Sequence, residues 1–173
     1  MTEKEPSIWP ISLKYGALTG VLYILYSLFT YISGNFGNFF VNLLISLAIG
    51  VIGIVLAMRE FKQHNFGYMS YGKGLGIGIV VMVIASIISG IFSYIYIAFI
   101  DPSVVDKMIE ASVAQMAGFG LDEEMLDQQR DQMAEGFTPL KQLTNAVIGG
   151  LFMGLLLSLI ISAIMKKNRP EFE

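Results

Sequence analysis

From Tyr15 to Met58 the chain reads YGALTGVLYILYSLFTYISGNFGNFFVNLLISLAIGVIGIVLAM, and no Asp, Glu, Lys or Arg interrupts it. A helix needs roughly 20 apolar residues, at about 1.5 Å each, to cross the hydrocarbon core of a bilayer. This 44-residue window is too long for one crossing and fits two. Ser33-Gly34-Asn35-Phe36-Gly37-Asn38 breaks it near the middle with residues that favour turns and left-handed backbone. The window therefore predicts two spans, at about 15–33 and 39–58. The second is apolar on every side apart from Asn42 and Ser46, as expected of a helix in lipid.

The same signal repeats outward along the chain. Charge is also absent from Gly74 to Ile100 and from Gln142 to Met165, so the 14 acidic and 11 basic residues crowd into what remains. A soluble domain spreads charge over about 25% of its residues. This distribution excludes an ordinary soluble globule, a disordered chain and a nucleic-acid binder. A third span is expected over 71–100, stopped by Asp101-Pro102. A fourth is expected over 138–165, opened by Thr138 as N-cap and Pro139 as first helical residue. Membrane strands would alternate apolar and polar residues, and Val147–Met165 is continuously apolar instead. The fold class predicted is all-α: one domain over 1–173, a four-transmembrane-helix bundle.

Lys and Arg are retained on the cytoplasmic side. With four crossings, Lys4, Lys14, Arg59, Lys62, Lys73, Lys166, Lys167 and Arg169 share one side, against Lys107, Arg130 and Lys141 on the other. Both termini are then expected in the cytoplasm. The residues before Tyr15 mix Glu3 and Glu5 with Lys4 and Lys14 and do not read as a cleaved signal.

The outer segment, 101–137, is expected to hold two short amphipathic helices. The first carries the stripe Val104, Val105, Met108, Ile109, Val113, Met116, Ala117 and ends at Gly118 and Gly120. Asp122 caps the second, with Glu123 and Glu124 in its first turn and Met125, Leu126, Gln129 and Met133 as a thinner stripe before Gly136. Met108, Met116, Met125 and Met133 read as packing residues rather than a soft-metal site, because no His or Cys accompanies them. The acidic run lacks the ligand spacing of a calcium loop. His64 reads as a solvated residue of a polar loop.

Gly72, Gly74, Gly76 and Gly78 invite a phosphate-loop reading that fails on spacing, since Ile occupies 77 and 79. Gly72/Gly76 and Gly74/Gly78 instead form small-xxx-small pairs, as do Gly16/Gly20 and Gly150/Gly154, and all eight are candidate helix-packing positions. Ser86, Ser89 and Ser93 share one face of the third span and form a candidate polar face.

The start Lys14-Tyr15-Gly16, the stretch Gly67-Tyr68-Met69-Ser70-Tyr71-Gly72-Lys73-Gly74-Leu75, four spans and an acidic segment before the last resemble the bacterial domain-of-unknown-function 4199 family. The resemblance implies a small integral protein of the bacterial inner membrane and carries over no activity and no functional residues.

No nucleophile–base pair, metal-ligand spacing or cysteine is present, so no catalytic, cofactor or metal site is expected. A structural or accessory protein acting through helix contacts and its outer segment is the leading reading. A small transporter or channel subunit using the serine face is the alternative. The partners expected are the lipid bilayer and either a second copy or another membrane protein.

Overall fold

The computed structural model describes residues 6–34, 36 and 38–169. Over those residues the chain is all-helical: α1 Ile8–Ser33, α2 Phe39–His64, α3 Tyr71–Ile95, α4 Ser103–Gly118, α5 Glu123–Gly136 and α6 Pro139–Met165. A five-residue π-helical turn, Tyr96–Ile100, extends α3. Four helices are long and apolar enough to cross a membrane: α1, α2, α3 with its π turn, and α6.

The boundaries of the first two spans move. Helix α1 starts at Ile8 rather than 15, because Ser7 is its N-cap and accepts the Trp9 N–H at 3.3 Å. Helix α2 runs past Met58 to His64, and Glu60 is the reason the extra turn is held. Its Oε2 accepts from Lys14 Nζ at 2.6 Å and Tyr15 Oη at 2.8 Å, both on α1. His64 is thus helical rather than in a loop, and its Nδ1 lies 2.9 Å from the Glu60 carbonyl. Between the two helices Gly34 takes φ +65°, which a glycine adopts without steric cost, and Asn38 caps α2 through the Val41 N–H. Asn35 and Gly37 of the expected break, and Lys4 of the expected basic side, lie outside the described residues.

Helix α6 starts as its sequence requires, with Thr138 accepting the Lys141 N–H at 3.3 Å and Pro139 at the first position. The segment before it departs from expectation. Helices α4 and α5 have 16 and 14 residues and are not short. Only Val104 and Ile109 of the α4 stripe are buried, and no residue of α5 is. A stripe that covers no core does not make α5 an amphipathic packing helix. Val104 joins Tyr31 and Ile97 in a small apolar cluster that fixes the start of α4 against α1 and the π turn.

Helix α3 is the centre of the bundle and packs on α1, α2 and α6. Its partnership with α6 is antiparallel and in register at every fourth residue: Gly74 faces Ser162, Gly78 faces Ser158, Met82 faces Gly154, Ser86 faces Gly150 and Gly90 faces Ala146. Each rung sets at least one small residue against its neighbour, so the two backbones approach closely along five successive turns. Helix α1 lies parallel to α3, with Gly16 against Ile84 and Gly20 against Ile88. The ends of the bundle consequently differ. The start of α1, end of α2, start of α3 and end of α6 gather Lys14, Arg59, Lys62, Lys73, Lys166, Lys167 and Arg169 at a basic end. The other end carries α4, α5 and the nine carboxylates of 101–141.

The main core lies toward the basic end. Ile54, Ala57, Met58 and Phe61 of α2 meet Ile77 and Val81 of α3 and Ile161 of α6. Buried positions on α2 begin only at Gly50, and on α6 only at Gly150. The first eleven residues of α2 and of α6, nearest the acidic end, bury none.

Candidate functional site

In that less buried half the helices leave a half-open cleft of about 380 Å³. Helix α3 forms its floor with Met82, Ser86, Ser89, Gly90 and Ser93. Tyr23 and Ser27 of α1 and Ser46 of α2 make one wall, and Ala146, Gly149, Gly150 and Met153 of α6 make the other. The small serine side chains and Gly149, beside which nothing lies within 4 Å, leave the space open, whereas Gly90 and Gly150 let α3 and α6 close on each other. A Cβ at Gly90 would lie 2.8 Å from Leu143 Cδ1, and one at Gly150 would strike Ser86.

The three candidate serines are brought together here, but their hydroxyls are largely engaged. Ser86 Oγ donates to the Val83 carbonyl at 2.9 Å and Ser89 Oγ to the Ser86 carbonyl at 3.4 Å. Ser93 Oγ accepts from Tyr31 Oη at 3.0 Å. Tyr23 Oη donates to the Ser46 carbonyl at 2.8 Å and bridges α1 to α2. Back-bonding of serine to the preceding turn is the usual way such residues are satisfied in an apolar setting. The lining contains hydroxyls, thioethers and backbone, and no charged group. Such a site can hold an uncharged or amphipathic occupant, and it has no group able to take up a proton near neutral pH. Among the described residues no three His, Asp or Glu side chains converge as a metal site requires.

The candidate packing glycines divide. Gly16, Gly20, Gly74, Gly78, Gly150 and Gly154 all sit where a Cβ would press on a neighbouring helix. Gly72 meets nothing within 4 Å, and Gly76 meets only Ile8 Cδ1 at 3.4 Å. The two overlapping pairs on α3 are therefore unequal: one faces α6 and the other does not. Sequence reasoning missed Gly50, Gly53 and Gly90. Gly53 is wedged against Thr19, and Gly50 lies under Tyr23 Oη and Met82. Gly90 was within reach of the sequence. It continues the four-residue series 74, 78, 82, 86, 90, mirrored on α6 by 146, 150, 154, 158, 162.

Four long apolar helices, one end rich in cations and a cleft opening between helices fit a multi-pass membrane protein. The family described as "Protein of unknown function (DUF4199)" matches residues 14–167, and the chain belongs to it. No curated protein and no solved structure matches the chain.

Proposed function

We propose that this protein is a structural or accessory helix bundle without catalytic activity, resident in the bacterial inner membrane with both termini in the cytoplasm. It acts by presenting its α4–α5 unit, and the small-residue face left open at Gly72, to a second copy or to another membrane protein. The observation that carries this reading is α5. It buries no residue, its main neighbour is α4, and the turn before it exposes Phe119 at 72% and Leu121 at 38% beside Asp122, Glu123 and Glu124. An acidic, apolar-tipped arm that contributes so little to its own core is surface available to a partner. Cross-linking from positions on α5 in native membranes, followed by identification of the captured proteins, tests it. Capture of lipid alone, unchanged by removal of 119–136, would end this reading. A reporter fused after Glu173 should be active only in the cytoplasm.

The cleft supports a second reading, passage of a small uncharged solute along Ser86, Ser89 and Ser93. Reproducible flux in liposomes that falls when these three become Val would favour it. Equal flux through empty liposomes would leave the accessory role standing.

A further inference from the structure

The basic end holds a second, smaller cavity of about 210 Å³, lined by Asn65, Tyr68, Met69, Ser70, Lys167, Asn168 and Arg169. We propose that it is a binding site for a phosphate-bearing anion, held by Lys167 and Arg169.

The case begins with how the two cations are fixed. The chain after α6 does not trail away. Met69 and Lys167 exchange two backbone hydrogen bonds, each 2.9 Å, which continue the α3–α6 register beyond the helices. That bridge sets Lys167 with its ammonium 5.4 Å from the centre of the Tyr68 ring. Arg169 stacks 5.7 Å from the Phe66 ring and 6.0 Å from the Tyr68 ring, and its Nη2 donates to Asn65 Oδ1 at 2.9 Å. Asn65 is only 2% exposed and is itself oriented by its Nδ2, which donates to the Tyr68 carbonyl at 2.9 Å. The scaffold beneath is a tight turn with Phe66 at φ +53° and Gly67 at φ +84°. Lys62 Nζ, on the last carbonyl of α6 at 3.1 Å, ties α2 to the same place.

Two cations are therefore held about one aromatic ring, and neither makes an ion pair among the described residues. Both side chains are exposed, and like charges fixed this way repel, a repulsion that an anion seated between them relieves. The guanidinium keeps donors beyond the one given to Asn65, and the planar fork matches phosphate oxygens. Preorganisation removes the side-chain ordering cost that a flexible Lys or Arg would bring to the encounter. Ser70, the N-cap of α3, adds the positive end of that helix to the same rim. The cavity lies where α2 and α6 end and α3 begins, the level at which lipid headgroups meet a spanning bundle. The phosphate can come from an anionic lipid headgroup or from solution. The inference is independent of whether the protein is an accessory or a transport component.

The test is thermal unfolding of the full chain in a neutral detergent, with three additions at matched ionic strength: inorganic phosphate, short-chain phosphatidylglycerol, and phosphatidylcholine of the same chain length. A saturable rise in midpoint of about 5 °C at a hundredfold excess over Kd is expected from phosphatidylglycerol, from phosphate, or from both. A rise with phosphatidylglycerol alone assigns the site to a lipid headgroup, and a rise with phosphate alone to a soluble anion. Lys167→Gln should lose most of the response while folding normally, since the ammonium makes no hydrogen bond among the described residues. Arg169→Gln should lose it too. Equal responses to the two lipids with none to phosphate would overturn the proposal, as would a response that Lys167→Gln leaves intact.

Discussion

Gly78 of α3 faces Ser158 of α6 so closely that a Cβ on the glycine would lie 2.9 Å from the serine Cβ and collide with its hydroxyl, which donates to the Gly154 carbonyl. The serine cannot swing away without abandoning that bond in a fully buried position. Contact of this kind is how helices associate where lipid offers no hydrophobic gradient between them.

Replacement of Gly78 by leucine should therefore lower stability by about 1–3 kcal/mol or more, the range seen when a packed interior is overfilled. The same change at Gly72 should do no harm and gain up to about 1 kcal/mol of helix propensity. Thermal unfolding in detergent compares the two. Equal losses would show that α3 and α6 do not pack in this register.

The register has a second consequence that a gel can read. A Cβ at Gly90 would stand 3.3 Å from Ala146 Cβ, a few tenths of an ångström short of the usual disulfide separation of about 3.5–4.5 Å. The chain has no native cysteine. Gly90→Cys with Ala146→Cys should oxidise to an internal disulfide once the Leu143 side chain shifts and the two positions part by a few tenths of an ångström. Persistent labelling of both thiols after oxidation would mean that α3 and α6 are offset from the described pairing.

Asn65 joins the α2–α3 turn to the end of the chain. Asn65→Ala strips a partner from the Tyr68 carbonyl and from Arg169, and should cost about 1–3 kcal/mol. The loss should be local. Hydrogen exchange should quicken at Met69 and Lys167, whose amides form the bridge, and not at Val81 in the core. Unchanged protection at both amides would show that the bridge stands without Asn65.

Asp101 opens α4 and responds to acid. Its Oδ1 accepts from Ser103 Oγ at 2.5 Å and from the Ser103 N–H at 3.1 Å, and its Oδ2 lies 3.5 Å from Lys107 Nζ. The Ser103 hydroxyl, then Lys107, holds the carboxyl below its ordinary value of 3.8. A depressed carboxyl stabilises the folded form fully above the unfolded value and ceases to do so as pH falls through the folded one. Protection of the first amides of α4, corrected for intrinsic exchange, should hold from neutral pH down to the ordinary carboxyl value of 3.8 and fall as pH drops below it. Asp101→Asn should abolish the pH response; if it persists, another group governs this end.

Much of the bundle was legible because charge and apolar runs report the solvent directly. The uncharged window at Tyr15–Met58 and the Thr138-Pro139 start needed no tertiary information. The start of α1 did, because the charge of Lys14 closes the uncharged window at Tyr15 until Glu60 is seen to hold Lys14 and Tyr15. The extents of α4 and α5 were legible, from Val104 to Gly118 and from Asp122 to Gly136, but their packing was not: helical spacing in Met125 and Met133 says nothing about whether a core lies beneath them. Ser86, Ser89 and Ser93 shared a face in the sequence. The walls supplied by Tyr23, Ser46 and Gly149 did not, since only the arrangement of α1, α2 and α6 around α3 brings them there. The setting of Arg169 between Asn65 and two aromatic rings joins residues 104 apart in the chain and leaves no local trace.

The π turn at Tyr96–Ile100 closes with the Asp101 N–H on the Tyr96 carbonyl at 2.9 Å, one residue wider than the ordinary helical ring. Successive helical residues advance by about 100° around the axis. Excising a single residue from this ring would tighten it to the normal pitch and rotate everything beyond by that angle, carrying Val104 away from Tyr31 and swinging the acidic arm to a new bearing. The compass heading of that arm is thus stored as a phase offset in one widened coil.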